Sequence, residues 1–230
     1  MTSPVLLRRT RALRPVGGVL LTGAALATAL TACSTSEPST APATSSFPTS
    51  ASVTVPAGAA ARTTPGATLD FGATAVLPAN AFAPAGATAM YTVTGISPGT
   101  GVPDDATQGG KAYFIYLTVT ALSVKPAVAP TVVGFAGSTD GRTPALTLPP
   151  SVPLTACANP EPPEKMKRGE SYATCLVAYA DPDQELGSVI YWADTTGDAS
   201  YDFKSDPVVW GTPTPVSSAS ATPSSPAPAG

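Results

Sequence analysis

Histidine is absent from all 230 residues, and that absence decides most of the chemistry this chain could perform. It removes the commonest general base, the commonest metal ligand and every Ser-His or Cys-His pair. No Lys stands three residues after a Ser, so the Ser-x-x-Lys nucleophile pattern is also missing. Catalysis would rest on carboxylates alone. Glu161, Glu164 and Glu170, with the aspartates, could supply the acid and base that flank a glycosidic bond. With no catalytic motif around them they read as solubilising surface charge. Asp194, Asp198 and Asp202 recur in a Gly-containing segment, and oxygen-rich loops can hold calcium. Their spacing is not that of an EF-hand, and Asp is the ordinary residue of strand connections, so they read as turn formers. Asp104, Asp105, Asp181 and Asp183 read the same way. No catalytic residue, metal site or cofactor is expected, and the chain reads as a non-enzyme.

The remaining reactive side chains are three cysteines: Cys33, Cys157 and Cys175. Cys33 follows four arginines between positions 8 and 14 and an uncharged Leu/Ala/Val-rich run over 15–32 that ends in small residues. A positive region, an apolar region and a small-residue end make a secretory signal. Leu30, Thr31 and Ala32 before Cys33 resemble the signal of bacterial lipoproteins: an aliphatic residue, a small residue, then Ala or Gly before an invariant Cys. The resemblance implies a diacylglyceryl group on the Cys33 thiol, cleavage before it, and a lipid anchor on the outer face of the cytoplasmic membrane. Two acyl chains anchor stably where one, at about 0.8 kcal/mol per buried methylene, holds only marginally. In that exported, oxidising setting Cys157 and Cys175 are expected to pair as a disulfide, since two thiols without His make a poor zinc site.

Cleavage before Cys33 removes four of the 12 basic groups and leaves 8 against 15 acidic ones, a net charge of −7. An acidic product without a basic block argues against nucleic acid. The small cluster Lys165, Lys167 and Arg168 reads as a solvated hairpin tip. Residues 33–67 are dominated by Ser, Thr, Pro and Ala and are expected to form a disordered tether. Residues 212–230 repeat that chemistry and are expected to be a disordered tail.

Residues 68–211 gather nearly all the aromatic and charged side chains and are expected to fold as one domain. From Lys111 to Leu122, Tyr113, Ile115, Leu117 and Val119 share a face by period-two alternation, which predicts a long central strand. Further strands are predicted at 69–76, 88–96, 131–135, 145–148, 152–157, 172–179, 188–192 and 208–210. No sustained helical stripe occurs, so an all-β antiparallel sandwich is expected. Tyr191, Trp192, Tyr201, Phe203 and Trp210 are expected to fill its interior; as exposed side chains they would suit a sugar or protein contact.

The order of features resembles the immunoglobulin-like domains of actinobacterial secreted antigens and lipoproteins. The strand ending Tyr91-Thr92-Val93-Thr94 precedes a Gly/Asp loop, the strand from Tyr113 to Thr120, and a late Gly169 with Cys175. The resemblance implies an immunoglobulin-like β-sandwich without an agreed activity. No Trp lies between the two cysteines, so antibody-like geometry is not implied. The resulting expectation is a membrane-anchored module contacting an envelope protein or cell-wall glycan. The competing expectations are a carrier of a small apolar ligand, marked by a contiguous apolar cavity, and a carboxylate glycoside hydrolase.

Overall fold

The computed structural model describes residues 48–193 and 198–211. Cys33, Asp194, the leader, the first part of the tether and the tail lie outside the described residues.

The chain forms an immunoglobulin-like β-sandwich of two main sheets. One is antiparallel and five-stranded, in the order β2 (Thr74–Pro78), β3 (Thr88–Pro98), β4 (Lys111–Ala121), β9 (Ser171–Ala180), β7 (Leu146–Leu148). The other has the order β1 (Thr68–Leu69), β11 (Val208–Gly211), β10 (Ser188–Tyr191), β6 (Phe135–Ser138), with β1 alone running parallel to its neighbour. A two-stranded ribbon pairs β5 (Ala127–Val128) with β8 (Lys165–Met166). Helical structure is limited to α1 (Asp104–Thr107) and a 3-10 turn at Ala199–Tyr201.

Strand β4 carries the predicted alternation, with Tyr113, Ile115, Leu117 and Val119 in the main core. It is nonetheless buried on both faces. Ala112, Phe114 and Tyr116 pack on the opposite side with Cys157, Cys175 and Val177, beneath the 150–160 loop. The inner face converges on a ring cluster in which Phe135 lies 5.1 Å from Tyr91, 5.1 Å from Tyr191 and 5.8 Å from Trp210. Phe203 meets Tyr191 edge-on at 5.1 Å. Each fully buried aromatic ring contributes on the order of 2–3 kcal/mol from area alone. The expectation that these aromatics are core holds for Tyr191, Phe203 and Trp210, while Trp192 and Tyr201 are half-buried.

Several strand boundaries differ from the sequence expectation, each for a local reason. The segment 69–76 splits at Gly72 (φ 88°), whose N–H donates to the Val93 carbonyl, so the chain crosses there from one sheet to the other. Residues 131–133 form a loop because the Tyr172 and Tyr91 hydroxyls hold the carbonyls of Pro130 (2.6 Å) and Thr131 (2.9 Å), and β6 begins only after Gly134 (φ 95°). The 152–157 segment makes a single bridge, Leu154 to Cys157.

Two corrections concern polar segments. Arg168 is no solvated tip: its guanidinium donates to the carbonyls of Leu122, Pro56 and Gly58. Residues 48–67 are not free tether. Val53, Val55 and Ala60 cover Val76, Met90 and Leu122 on the outer face of the five-stranded sheet. The Ala51 N–H donates to Thr118 Oγ1 at 2.8 Å, the Thr94 hydroxyl donates to the Pro48 carbonyl, and the Thr63 N–H donates to the Val76 carbonyl. Three small apolar side chains and a handful of hydrogen bonds suffice to dock a segment whose composition alone reads as disordered.

Candidate functional site

A groove of about 620 Å³ opens where the two sheets' edge strands, β6 and β7, come together. Four short pieces of chain line it: 81–84 from the β2–β3 connection, 133–136 entering β6, 144–147 entering β7, and 192–193 leaving β10. Phe82 is 83% exposed, Leu146 63% and Val133 47%, with half-buried Trp192 beside them. An apolar side chain left this far in water is unfavourable unless something covers it in use.

Local chemistry explains how each wall is held. Asn80 Oδ1 accepts the Phe82 N–H at 2.9 Å, an Asx turn that pushes Phe82 outward. The Arg62 guanidinium donates to the Pro84 and Gly86 carbonyls and stacks 4.5 Å above Tyr201, which ties the 79–87 tip to the docked N-terminal segment. Edge strand β6 is strapped to β7 at Gly137, whose carbonyl accepts from Ala145 N at 2.8 Å and whose N–H donates to Thr147 Oγ1 at 3.1 Å. A Cβ on Gly137 would meet Leu186 Cδ1 at 2.7 Å and Ala178 Cβ at 2.9 Å, so only glycine allows this approach.

The turn from β6 to β7 is organised by Asp140. Its carboxylate accepts the N–H groups of Arg142 and Thr143, both at 2.7 Å, and the hydroxyls of Thr143 and Ser138. Partial burial would raise its pKa, but these four donors outweigh that and bring it down to about 2. In the core, burial raises the Tyr91 and Tyr172 hydroxyls, Tyr172 to about 12, so both remain donors to the carbonyls they hold. Burial also raises Tyr191, whose hydroxyl has no hydrogen-bond partner among the described residues.

Among the described residues that line the groove none is charged, and Thr147 alone bears a hydroxyl. That hydroxyl is already engaged, accepting from Gly137 and donating to the Ala145 carbonyl at 3.0 Å. At its margin the Lys204 ammonium lies 5.4 Å from the Trp192 ring centre. Pro144 before β7 and Pro149 and Pro150 after it bracket the three-residue edge, which discourages addition of another strand. The arrangement can enclose an apolar, uncharged ligand. The described residues that line it include no acid or base.

The other sequence-predicted sites lie elsewhere. Cys157 and Cys175 form a disulfide with Cα atoms 5.2 Å apart, pinning the 150–160 loop to β9. Asp198 Oδ1 caps the 3-10 turn through Ser200 N, and Asp202 Oδ1 accepts from Ser205 N, so both act as turn formers. Asp104 and Asp105 occupy the first turn of α1. Glu170 pairs with Lys167, while Glu161 and Glu164 are exposed, and none of the three lines the groove. Among the described residues no cluster of three or more Cys, Asp or Glu side chains is placed to hold a metal ion. No described helix is long and apolar enough to cross a membrane.

Sequence reasoning missed Phe82, Val133 and Leu146. The only available signal was a Phe amid Asn80-Ala81-Phe82-Ala83-Pro84, a turn composition with no structural need for a large ring.

Fold and groove together define an immunoglobulin-like β-sandwich with an apolar groove between its edge strands. No protein-family model matches the chain, and no curated protein matches it. Among solved structures it is similar in shape to MPT63, a secreted protein from Mycobacterium tuberculosis, with 14% identity, 63% of this chain and 96% of that chain covered, and a TM-score of 0.43.

Proposed function

We propose that this chain is an exported lipoprotein that displays its sandwich outside the cytoplasmic membrane and engages an extended, apolar polypeptide segment of another envelope protein through the groove. The carrying observation is the convergence of Phe82, Val133, Leu146 and Trp192 on one uncharged cleft. Cell-wall glycan is disfavoured as the occupant, because sugar recognition needs free polar side chains and the groove's hydroxyl is already engaged. Proline-rich segments suit aromatic-lined grooves, since their preformed extended helix loses little entropy on docking.

A second reading, carriage of a small apolar ligand, is favoured by the groove's volume, which falls within the roughly 300–1,000 Å³ typical of ligand sites. Trp192 separates the two readings, because the only other tryptophan, Trp210, is fully buried. Titration with a synthetic proline-rich peptide should change Trp192 emission saturably. Phe82→Ser and Leu146→Ser should each weaken binding about tenfold, as loss of ~1.4 kcal/mol of apolar burial requires. Saturable binding of an apolar dye but of no peptide would transfer the assignment to the carrier, and affinities unchanged by both substitutions would remove the groove from the function.

A further inference from the structure

We infer that the β5–β8 ribbon is a membrane-contact arm, which lays Val124 and Val128 into an anionic bilayer surface with Lys125, Lys165 and Lys167 against its phosphates. The bilayer is the one in which Cys33 would anchor the chain, so the inference rests on that part of the proposed function. It does not depend on what fills the groove.

The ribbon continues the central strand pair past the end of its ladder. Strands β4 and β9 run side by side from Lys111 opposite Ala180 to Thr120 opposite Ser171. Beyond that point the Ser123 carbonyl accepts the Arg168 N–H at 2.6 Å, and Ala127 and Val128 pair with Met166 and Lys165. Such pairing gives the ribbon two faces. Met166 is buried in the core, whereas Val128, 79% exposed, stands opposite exposed Lys165 on the outer face. Val124 is also 79% exposed, with Lys125 next to it, and Lys125 and Lys167 are exposed as well. Apolar side chains left in water among lysines suit a lipid interface, where the apolar tips enter the acyl boundary and the ammonium groups stay with the headgroups.

Charge is distributed to favour that orientation. Residues 122–130 and 164–170 hold four of the eight basic groups that follow Cys33, namely Lys125, Lys165, Lys167 and Arg168. Two acidic groups lie among them, Glu164 and Glu170, and Glu170 pairs with Lys167 at 3.8 Å. The remaining four basic groups stand among 13 acidic ones. The opposite end of the β4–β9 ladder is acidic, with Asp104 and Asp105 in α1 before β4, and Asp181, Asp183 and Glu185 after β9. Asp198, Asp202 and Asp206 belong to the other sheet, in the connection from β10 to β11. An anionic surface therefore attracts the ribbon and repels the far end of its sheet. A soluble polyanion would satisfy the lysines but leave both valines in water; a bilayer covers both kinds of side chain.

The anchor's reach allows the contact. Pro48 is held at Thr94, five residues along β3 from Ala89, the partner of Ala121, a distance of about 17 Å. The 14 residues between Cys33 and Pro48 can bridge at most about 50 Å, well beyond what this requires. Attachment to the same membrane raises the effective concentration, so a weak contact suffices.

The test mixes the anchor-free chain, 34–230, with sedimenting vesicles of phosphatidylcholine alone or of a two-to-one mixture of phosphatidylcholine and phosphatidylglycerol. The chain should bind the anionic vesicles and not the neutral ones, and high salt should release it. Lys165→Gln should weaken binding about fivefold, the factor that about 1 kcal/mol per basic group near an anionic leaflet implies, and Lys165→Arg should retain it. Val124→Ser combined with Val128→Ser should weaken binding about tenfold. These side chains are exposed, so the melting temperature should stay unchanged in every variant. No sedimentation with anionic vesicles would overturn the inference while leaving the lipid anchor to be decided by Cys33→Ser. Binding weakened by the lysine but not the valine substitutions would overturn it in favour of a soluble polyanion. Binding that ignores both would overturn it by placing the contact elsewhere on the chain.

Discussion

Asp140 holds the turn that aligns β6 with β7 by accepting four hydrogen bonds on one carboxylate, and this makes the groove's frame sensitive to acid. Its folded pKa of about 2 lies below the ordinary 3.8, so its contribution to stability is complete above pH 4 and disappears as the pH falls through 2. Amide exchange at Arg142 and Thr143 should therefore accelerate between pH 4 and 2, and Asp140→Asn should show the fast exchange already at neutral pH. Unchanged exchange in the variant would contradict the assignment. At this scale the sequence was legible where residue type left few choices. With Cys33 read as the lipid acceptor and no histidine to complete a zinc site, an oxidising setting left Cys157 and Cys175 to pair with each other. Phe82 was opaque, because a single ring in a turn carries no periodicity and only the converging loops give it neighbours.

The docked segment 48–60 is the element that departs most from its composition. Its hold depends on Val53 and Val55 against Met90 and Leu122, and on Arg168, which reaches two of its carbonyls from the turn before β9. Arg168→Ala should raise proteolytic cleavage and amide exchange in this segment about tenfold, as loss of ~1.4 kcal/mol of charge-assisted hydrogen bonding implies. The global melting transition should shift little; protection of 48–60 equal to that of the unchanged chain would show that Arg168 does not clasp it. The long strands β3, β4 and β9 were readable because each buries an alternating face of β-branched and aromatic residues. The segment 48–60 was not, because Pro, Ala and Thr contribute no such pattern and its contacts are all long-range. The shift of the predicted 131–135 strand to β6 has the same origin, since the Tyr91 and Tyr172 hydroxyls that hold that loop come from distant strands.

At the scale of the molecule, the docked N-terminal segment touches the sandwich at several separate places. Pro48 is held at Thr94, well along β3 from the 79–87 connection whose residues 81–84 line the groove. The same N-terminal segment also reaches the groove's rim, where Arg62 holds the Pro84 and Gly86 carbonyls. Cys33→Ser should move the protein from the membrane fraction into the medium, and unchanged membrane association would rule out the lipid anchor. The overall architecture was legible from strand count, turn composition and the absence of helical stripes. The groove was not, because it exists only where β6 of one sheet meets β7 of the other, a juxtaposition no local pattern encodes. The most direct test of the groove's role is an amide chemical-shift map of the chain ended at Gly211, titrated with a proline-rich peptide. A peptide seated in the groove should give saturable shifts confined to 81–86, 133–137, 145–148 and Trp192. Shifts centred instead on the 150–160 loop, or none at millimolar peptide, would contradict that role.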